Sequence, residues 1–279
     1  MKLTPVFLIF ILLAGCAVAQ PVDTSSASDQ TVESAAEAHE VTIFAMDTVM
    51  QLSAYGDHAD TALSAAQEVI SRVEKEVSVT DQDSEIYYLN THQGTPYTVS
   101  EDTAKLIETS LLYGKQTNGA LDISIYPIVK AWGFTTSEYQ IPSDETIAGL
   151  LESVNYSAIE FDPATRTVCL PKGMEIDLGS IAKGYAGQLA VDAMRSAGVT
   201  SALISLGGNV QAIGSKPDGS AWRVAVEDPE NTESYAGIVS IRDQAVITSG
   251  GYERYFVGDD GQTYCISWTL PQAGLPAAA

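Results

Sequence analysis

The sequence predicts an α+β domain in which mixed, largely antiparallel sheets carry packed helices. Three observations lead there. Helical spacing dominates the first two-thirds of the chain, short β-rich runs follow one another after residue 200, and no repeat or linker divides residues 41–279. Helices followed by consecutive antiparallel strands indicate α+β architecture, and a doubly wound parallel sheet is not expected.

The elements follow in chain order. V-T-I-F-A-M-D-T-V-M-Q-L-S-A-Y (Val41–Tyr55) alternates and is β-branched, as a strand or hairpin arm requires. Apolar residues at Ala62, Ala66, Val69, Ile70 and Val73 predict an amphipathic helix over Ala59–Glu76. D-Q-D-S-E-I-Y-Y-L-N gives a polar turn and one short helical turn. Ser100 caps a second helix that runs through Gln116 and ends at Asn118-Gly119. Pro127 and Gly133 interrupt the apolar run Ala120–Phe134, so one continuous helix is not expected there. Ser143–Leu151 reads as a short helix, and Ala158–Phe161 with Thr167–Leu170 as a hairpin. Strands are expected at Ala202–Leu206, Val210–Ile213, Trp222–Val226, Gly237–Ile241 and Ala245–Thr248. Tyr252–Val257 and Thr263–Ser267 extend the series, the last two joined by the hairpin turn D-D-G-Q.

Composition narrows the function. The chain has 279 residues, 45% of them hydrophobic, enough for one large domain or two small ones. A formal charge of −22 repels a phosphate backbone, which argues against nucleic acid as a partner. It says little about small anions, which respond to local charge. Cys16, Cys169 and Cys265 cannot form a disulfide framework, and no C-x-x-C spacing suggests zinc. His39, His58 and His92 are scattered and read as surface residues.

Residues 1–15 read as a lipoprotein signal peptide: Lys2 is followed by an apolar run from Val6 to Leu13, too short to span a membrane. L-A-G-C (Leu13–Cys16) resembles a bacterial lipoprotein cleavage site, with Cys16 lipidated; cleavage after Ala17–Ala19 is the competing reading. Either route places the protein outside the cytoplasm, and a lipid on Cys16 would anchor it to a bacterial membrane. Residues 16–40, rich in Ser, Ala, Asp and Glu, read as an acidic, solvated, disordered tether.

One stretch combines features that chemistry can use. In I-D-L-G-S-I-A-K-G-Y-A-G-Q-L-A-V-D-A-M (Ile176–Met194), Asp177 and a Gly179 turn precede a small-residue helix. Ser180 is a natural N-cap and Lys183 falls in the expected first turn, where open N–H groups favour an anion. Such a group can hold a phosphate and a metal together; an ordinary strand–turn–helix with a solvated Lys is the alternative. Asp122, directly after the Gly119 cap, reads either as a capping Asp or as a ligand-binding carboxylate.

Several separate motifs together resemble the FAD:protein FMN transferases, the ApbE family. They are F-A-M-D-T (Phe44–Thr48), D-S-E-I-x-x-L-N (Asp83–Asn90), G-A-L-D-I-S-I-x-P (Gly119–Pro127), W-G-F (Trp132–Phe134) and D-L-G-S-I-A-K-G-Y-A (Asp177–Ala186). G-G-N (Gly207–Asn209), W-x-V-x-x-E-D-P (Trp222–Pro229) and T-S-G-x-Y-E-R-Y-F (Thr248–Phe256) complete the series over about 220 residues. The resemblance implies an ApbE-like, T-fold-related catalytic domain at 41–279. It also implies Mg²⁺-dependent transfer of FMN from FAD to a Thr or Ser hydroxyl, releasing AMP. The acceptor would be another exported protein of a flavin-dependent redox complex, because no D-x-x-[ST]-G-A-[ST] motif occurs here. By position, Met46, Ala120, Leu121, Asp122, Asp177 and Lys183 would contact FAD, and the Ser180 carbonyl would face Mg²⁺. Ser249, Gly250 and Tyr252 would shape the same cleft or form a strand-end turn. The resemblance singles out no catalytic base.

The chain also departs from that pattern. Asp47 stands where M-G-T is usual, and Thr80 where a flavin-stacking Tyr is common. After Tyr264 the family pattern H-H-I-x-D-P-x-T-G-x-P is replaced by C-I-S-W-T-L-P-Q-A-G-L-P-A-A-A. One permitted back-translation of Cys265–Pro276, read two nucleotides later, gives H-I-L-D-P-A-T-G-W-P-A, so a frameshift near Tyr264 and a domain incomplete at its C-terminus are expected. Rival functions are a Mg²⁺-dependent FAD pyrophosphatase, a non-catalytic FAD-binding lipoprotein, and a solute-binding or adhesion lipoprotein.

Overall fold

A computed structural model describes residues 37–251 and 254–266. Cys16 and its signal segment, Tyr252 and the residues from 267 onward, where most of the expected frameshifted stretch falls, lie outside the described residues. The fold opens with a hairpin, β1 (Ala38–Ala45) and β2 (Thr48–Tyr55), in continuous register from Ala38↔Tyr55 to Ala45↔Thr48. Its two turn residues, Met46 and Asp47, both adopt left-handed backbone (φ 50° and 60°), the geometry of a two-residue primed turn. The strand begins three residues earlier than the alternation at Val41 suggests. His39 and Glu40 lie in a paired ladder opposite Ala54 and Ser53, so main-chain pairing outweighs their polar side chains.

The helical half follows the apolar spacing closely. Helix α1 (Ala59–Val77) buries Ala62, Ala66, Ile70 and Val73. α2 (Glu85–Thr91) is capped by Ser84, whose oxygen accepts from Tyr87 N at 2.9 Å. After the short β3 (Tyr97–Thr98), α3 (Glu101–Gln116) is capped by Ser100. It ends with Asn118 and Gly119 both left-handed, and Gly119 N–H donates to the Gly114 carbonyl at 2.8 Å. The apolar run after it is broken as expected, into a 3-10 turn (Ile123–Ile125) and α4 (Tyr126–Ala131), with Pro127 in the first turn of α4. Next come α5 (Asp144–Leu151), the hairpin of β4 (Glu160–Asp162) and β5 (Thr167–Cys169), and α6 (Gly179–Ser196). β3 joins that hairpin as a third strand beside β5.

The remaining strands are β6 (Ala202–Leu206), β7 (Asn209–Ile213), β8 (Trp222–Asp228), β9 (Asn231–Ile241), β10 (Ala245–Ile247), β11 (Tyr255–Val257) and β12 (Thr263–Cys265). β9 begins six residues before the expected Gly237, extended by irregular pairing of Tyr235 and Asn231 with Glu227 and Asp228. The main sheet runs β1-β2-β6-β7-β10, every neighbour antiparallel. α1 and α6 pack side by side on one face, burying Met50, Leu52, Ile204 and Leu206 against Ile70, Ala190 and Met194. The β8–β9 ribbon covers part of the other face through Trp222, Val224 and Ile241. A second core joins α2, α3, β5 and the start of α6; a third, aromatic one gathers Trp132, Phe134, Phe256 and Tyr264.

None of the three histidines is buried, as expected for surface residues; His39 pairs with Asp60 at 2.7 Å and His92 stacks on Tyr88. Cys169 is a free thiol, half-buried on β5. Among the described residues no helix is long and apolar enough to cross a membrane.

Candidate functional site

A cavity of about 730 Å³ lies where elements of these three cores meet. Small-molecule sites occupy roughly 300–1,000 Å³. Its walls are the β1–β2 turn, the C-terminal end of α1 with Ser78–Thr80, the Ala120–Asp122 loop and the N-terminus of α6. Gly207, Asn209 and the segment Thr248–Gly250 close the far side. Met46, Ala120, Leu121, Asp122, Asp177, Ser180 and Lys183, picked from three separate parts of the sequence, all line this one space. So do Asp47, Thr80, Ser249 and Gly250.

Specific polar bonds bring those segments together. Asp177 N–H donates to the Ile123 carbonyl at 2.8 Å, which ties the Asp122 loop to the entry of α6. Buried Asn90 clamps the residue before it: its side-chain nitrogen donates to the Ile176 carbonyl at 2.9 Å, and Ile176 N–H donates to its oxygen at 2.7 Å. The final Asn of D-S-E-I-x-x-L-N is thus a positioning residue, which spacing alone did not reveal. Glu74, on α1, accepts from Met46 N–H at 2.6 Å and holds the left-handed turn against the cavity wall. Gly207 has φ +57°, and a β-carbon there would stand 2.3 Å from Thr48 Oγ1. Only glycine lets the β6–β7 turn approach the β1–β2 hairpin so closely.

Two expectations need correction. Ser180 is not the N-cap of α6. The helix already begins at Gly179, Leu178 holds the cap position without a side-chain bond, and the Asp177 carboxylate accepts from Gly179 N–H at 2.6 Å. A carboxylate accepts that amide better than a hydroxyl and also suits the positive end of the helix. Lys183 is accordingly the fifth helical residue, one turn in, instead of lying in the first turn.

The cap reading of Asp122 is realised. One carboxylate oxygen accepts from Ser124 N–H (2.8 Å) and Oγ–H (2.6 Å), the other from Tyr156 N–H (3.0 Å). It faces the cavity as well as capping the 3-10 turn, so the two readings do not exclude each other.

Burial raises the Asp177 carboxyl above the ordinary carboxylate range, while the Gly179 N–H and the Arg254 charge oppose that rise. Burial likewise pushes the Tyr126 phenol up to about 12, so it stays protonated. Arg254, which the sequence reading did not single out, is a cavity cation. One of its terminal nitrogens lies 3.3 Å from both Asp47 Oδ2 and the Phe134 carbonyl. Its signal was available: one of only 14 basic residues, inside a motif already quoted.

Hard oxygen donors near the α6 entry, the Asp177 carboxylate and Ser180, are of the type Mg²⁺ takes. Among the described residues, no three His, Cys, Asp or Glu side chains gather into a cage. Mg²⁺ commonly needs only one or two protein oxygens when phosphates and water complete its shell. The donor chemistry therefore fits an ion carried on a phosphate better than one held by protein alone.

The fold and cavity define an α+β domain with a pocket at the entry of α6, beside an antiparallel sheet. The chain belongs to the ApbE family, whose model matches residues 46–279. It is 32% identical over 222 residues to the FAD:protein FMN transferase of Klebsiella pneumoniae (78% of this chain, 68% of that one). Against the FAD:protein FMN transferase of Escherichia coli K12 it is 30% identical over 224 residues (77% and 61%). Among solved structures it resembles the ApbE protein of Thermotoga maritima, with TM-score 0.81, 32% identity, and coverage of 86% and 79%. The flavinyl transferase ApbE of Pseudomonas stutzeri is similar at TM-score 0.75 and 27% identity, with coverage of 87% and 77%. The chain spans 61–68% of the length of these two curated relatives. The family of the chain is thus a family of transferases.

Proposed function

We infer that this chain transfers FMN from FAD to a Thr or Ser hydroxyl of an exported protein and releases AMP. The observation that supports it is the convergence of Met46, Ala120–Asp122, Asp177, Ser180 and Lys183 on one cavity large enough for a nucleotide. The names of the relatives point the same way.

The reaction follows from phosphoryl-transfer chemistry. The acceptor hydroxyl oxygen bonds to the FMN-side phosphorus, the bond from that phosphorus to the bridging oxygen breaks, and the bridging oxygen leaves with AMP. Such a step needs alignment and charge neutralisation more than covalent help. The Asp122 loop and the Met46 turn, both clamped by hydrogen bonds, orient the dinucleotide. Lys183 supplies positive charge from α6. The hydroxyl proton passes to a cavity carboxylate. Mg²⁺, bound with the pyrophosphate near Asp177 and Ser180, would supply further neutralisation of the phosphate charge.

The setting belongs to the same reading. L-A-G-C supports lipidation at Cys16 and an extracytoplasmic, membrane-anchored enzyme, with the acceptor a flavin-dependent redox protein on the same side. The test is incubation of the full chain with FAD, Mg²⁺ and a protein carrying the acceptor motif, followed on a denaturing gel by flavin fluorescence. A fluorescent acceptor band with equimolar AMP is expected. AMP and free FMN without acceptor labelling would instead mean an FAD pyrophosphatase, and retained FAD without turnover a binding protein.

A further inference from the structure

The transfer reading puts a pyrophosphate, a dianion, into a cavity whose described walls carry Asp47, Glu74, Asp122 and Asp177 against Lys183 and Arg254. Three of those carboxylates are committed to the fold: Glu74 to Met46 N–H, Asp122 to Ser124 and Tyr156, and Asp177 to Gly179 N–H. Asp47 and Arg254 differ. They face each other from the β1–β2 turn and the approach to β11, 207 residues apart, with Nη2 3.3 Å from Oδ2. Their side chains are 71% and 41% exposed, and the same nitrogen reaches the Phe134 carbonyl at the same 3.3 Å.

Both contacts are long, and an exposed pair of this kind contributes little. A guanidinium has five donors in a planar fork that matches two phosphate oxygens, and it exchanges a weak single contact for a bidentate one readily. Arg254 is also near enough to Asp177 for its charge to act on that carboxyl against the effect of burial. We propose that Arg254 binds the pyrophosphate of the dinucleotide, and that Asp47 competes with the substrate for it. Resting on the transfer reading, this makes the Asp47–Arg254 pair a substrate-opened contact at the cavity wall.

Calorimetry of FAD and of riboflavin, which lacks phosphate, tests this on the full chain and on Arg254→Met, Arg254→Lys, Asp47→Gly and the Asp47→Gly/Arg254→Met double variant. Arg254→Met is expected to lower the FAD-to-riboflavin affinity ratio by roughly tenfold to a hundredfold, the usual loss for a hydrogen-bonded charge. Arg254→Lys, keeping the charge without the fork, falls between. Asp47→Gly raises FAD affinity several-fold only while Arg254 is present, and this arm decides the matter if Arg254→Met does not fold. An unchanged ratio in Arg254→Met, or an equal Asp47→Gly gain with and without Arg254, overturns the assignment while the transfer reading stands. A parent chain that binds no FAD removes both.

Discussion

At Asp177 two demands meet in one side chain. Its carboxylate accepts the Gly179 N–H at the start of α6 and faces the cavity, yet burial raises its pKa, so ionisation costs stability. A carboxyl whose folded pKa lies above its unfolded value lends stability at pH below the unfolded value. It loses that contribution as pH rises through the folded one. At neutral pH the carboxyl is therefore a net burden on stability. Asp177→Asn, which retains an oxygen for Gly179, is expected to melt a few degrees higher than the parent at pH 7. The difference should vanish toward pH 4, and transfer activity should fall at least tenfold; thermal melts across pH and the fluorescence assay check both. The sequence marked Asp177 and Lys183 because acid, turn and Lys lie within seven residues of each other. It missed Asn90, Glu74 and Arg254, whose partners stand 86, 28 and 207 positions away.

Among the elements, the helix starts show how much local chemistry decides. Ser84, Ser100 and Ser143 each accept an amide three residues on, and each of those helices begins where the cap predicts. Ser100 does more. Its oxygen also contacts Glu85 (2.9 Å) and Glu76 (3.0 Å), which links the start of α3 to α2 and to the end of α1 beside the cavity. A cap replaced by Ala costs about 0.5–2 kcal/mol. Ser100→Ala should lie at or above the top of that range and Ser143→Ala, which caps an exposed helix, near the bottom; urea melts of the two variants measure the gap. β3 and the early part of β9 escaped the sequence reading for the opposite reason. Two residues, or an irregular ribbon, carry too little periodicity to announce a strand, and only a partner strand makes them one.

For the molecule as a whole, charge is the dominant surface property. With 36 acidic against 14 basic residues the folded chain repels itself, and added salt screens that repulsion. The melting temperature is therefore expected to rise by several degrees between ~0.02 and ~0.5 M NaCl; a fall would mean that the ion pairs, such as Lys130–Glu175 at 2.6 Å, outweigh the net charge. The sequence by itself determined the α+β class, the main helices and most strands, because helix caps, turn residues and apolar periods act within a few residues. It also marked several of the residues that line the cavity, in motifs separated by tens of positions. The tertiary structure alone decided that those motifs line one cavity and that an arginine near the end of the described chain meets the first hairpin. Those outcomes depend on distances between elements, which no local preference encodes and only the packing of three cores sets.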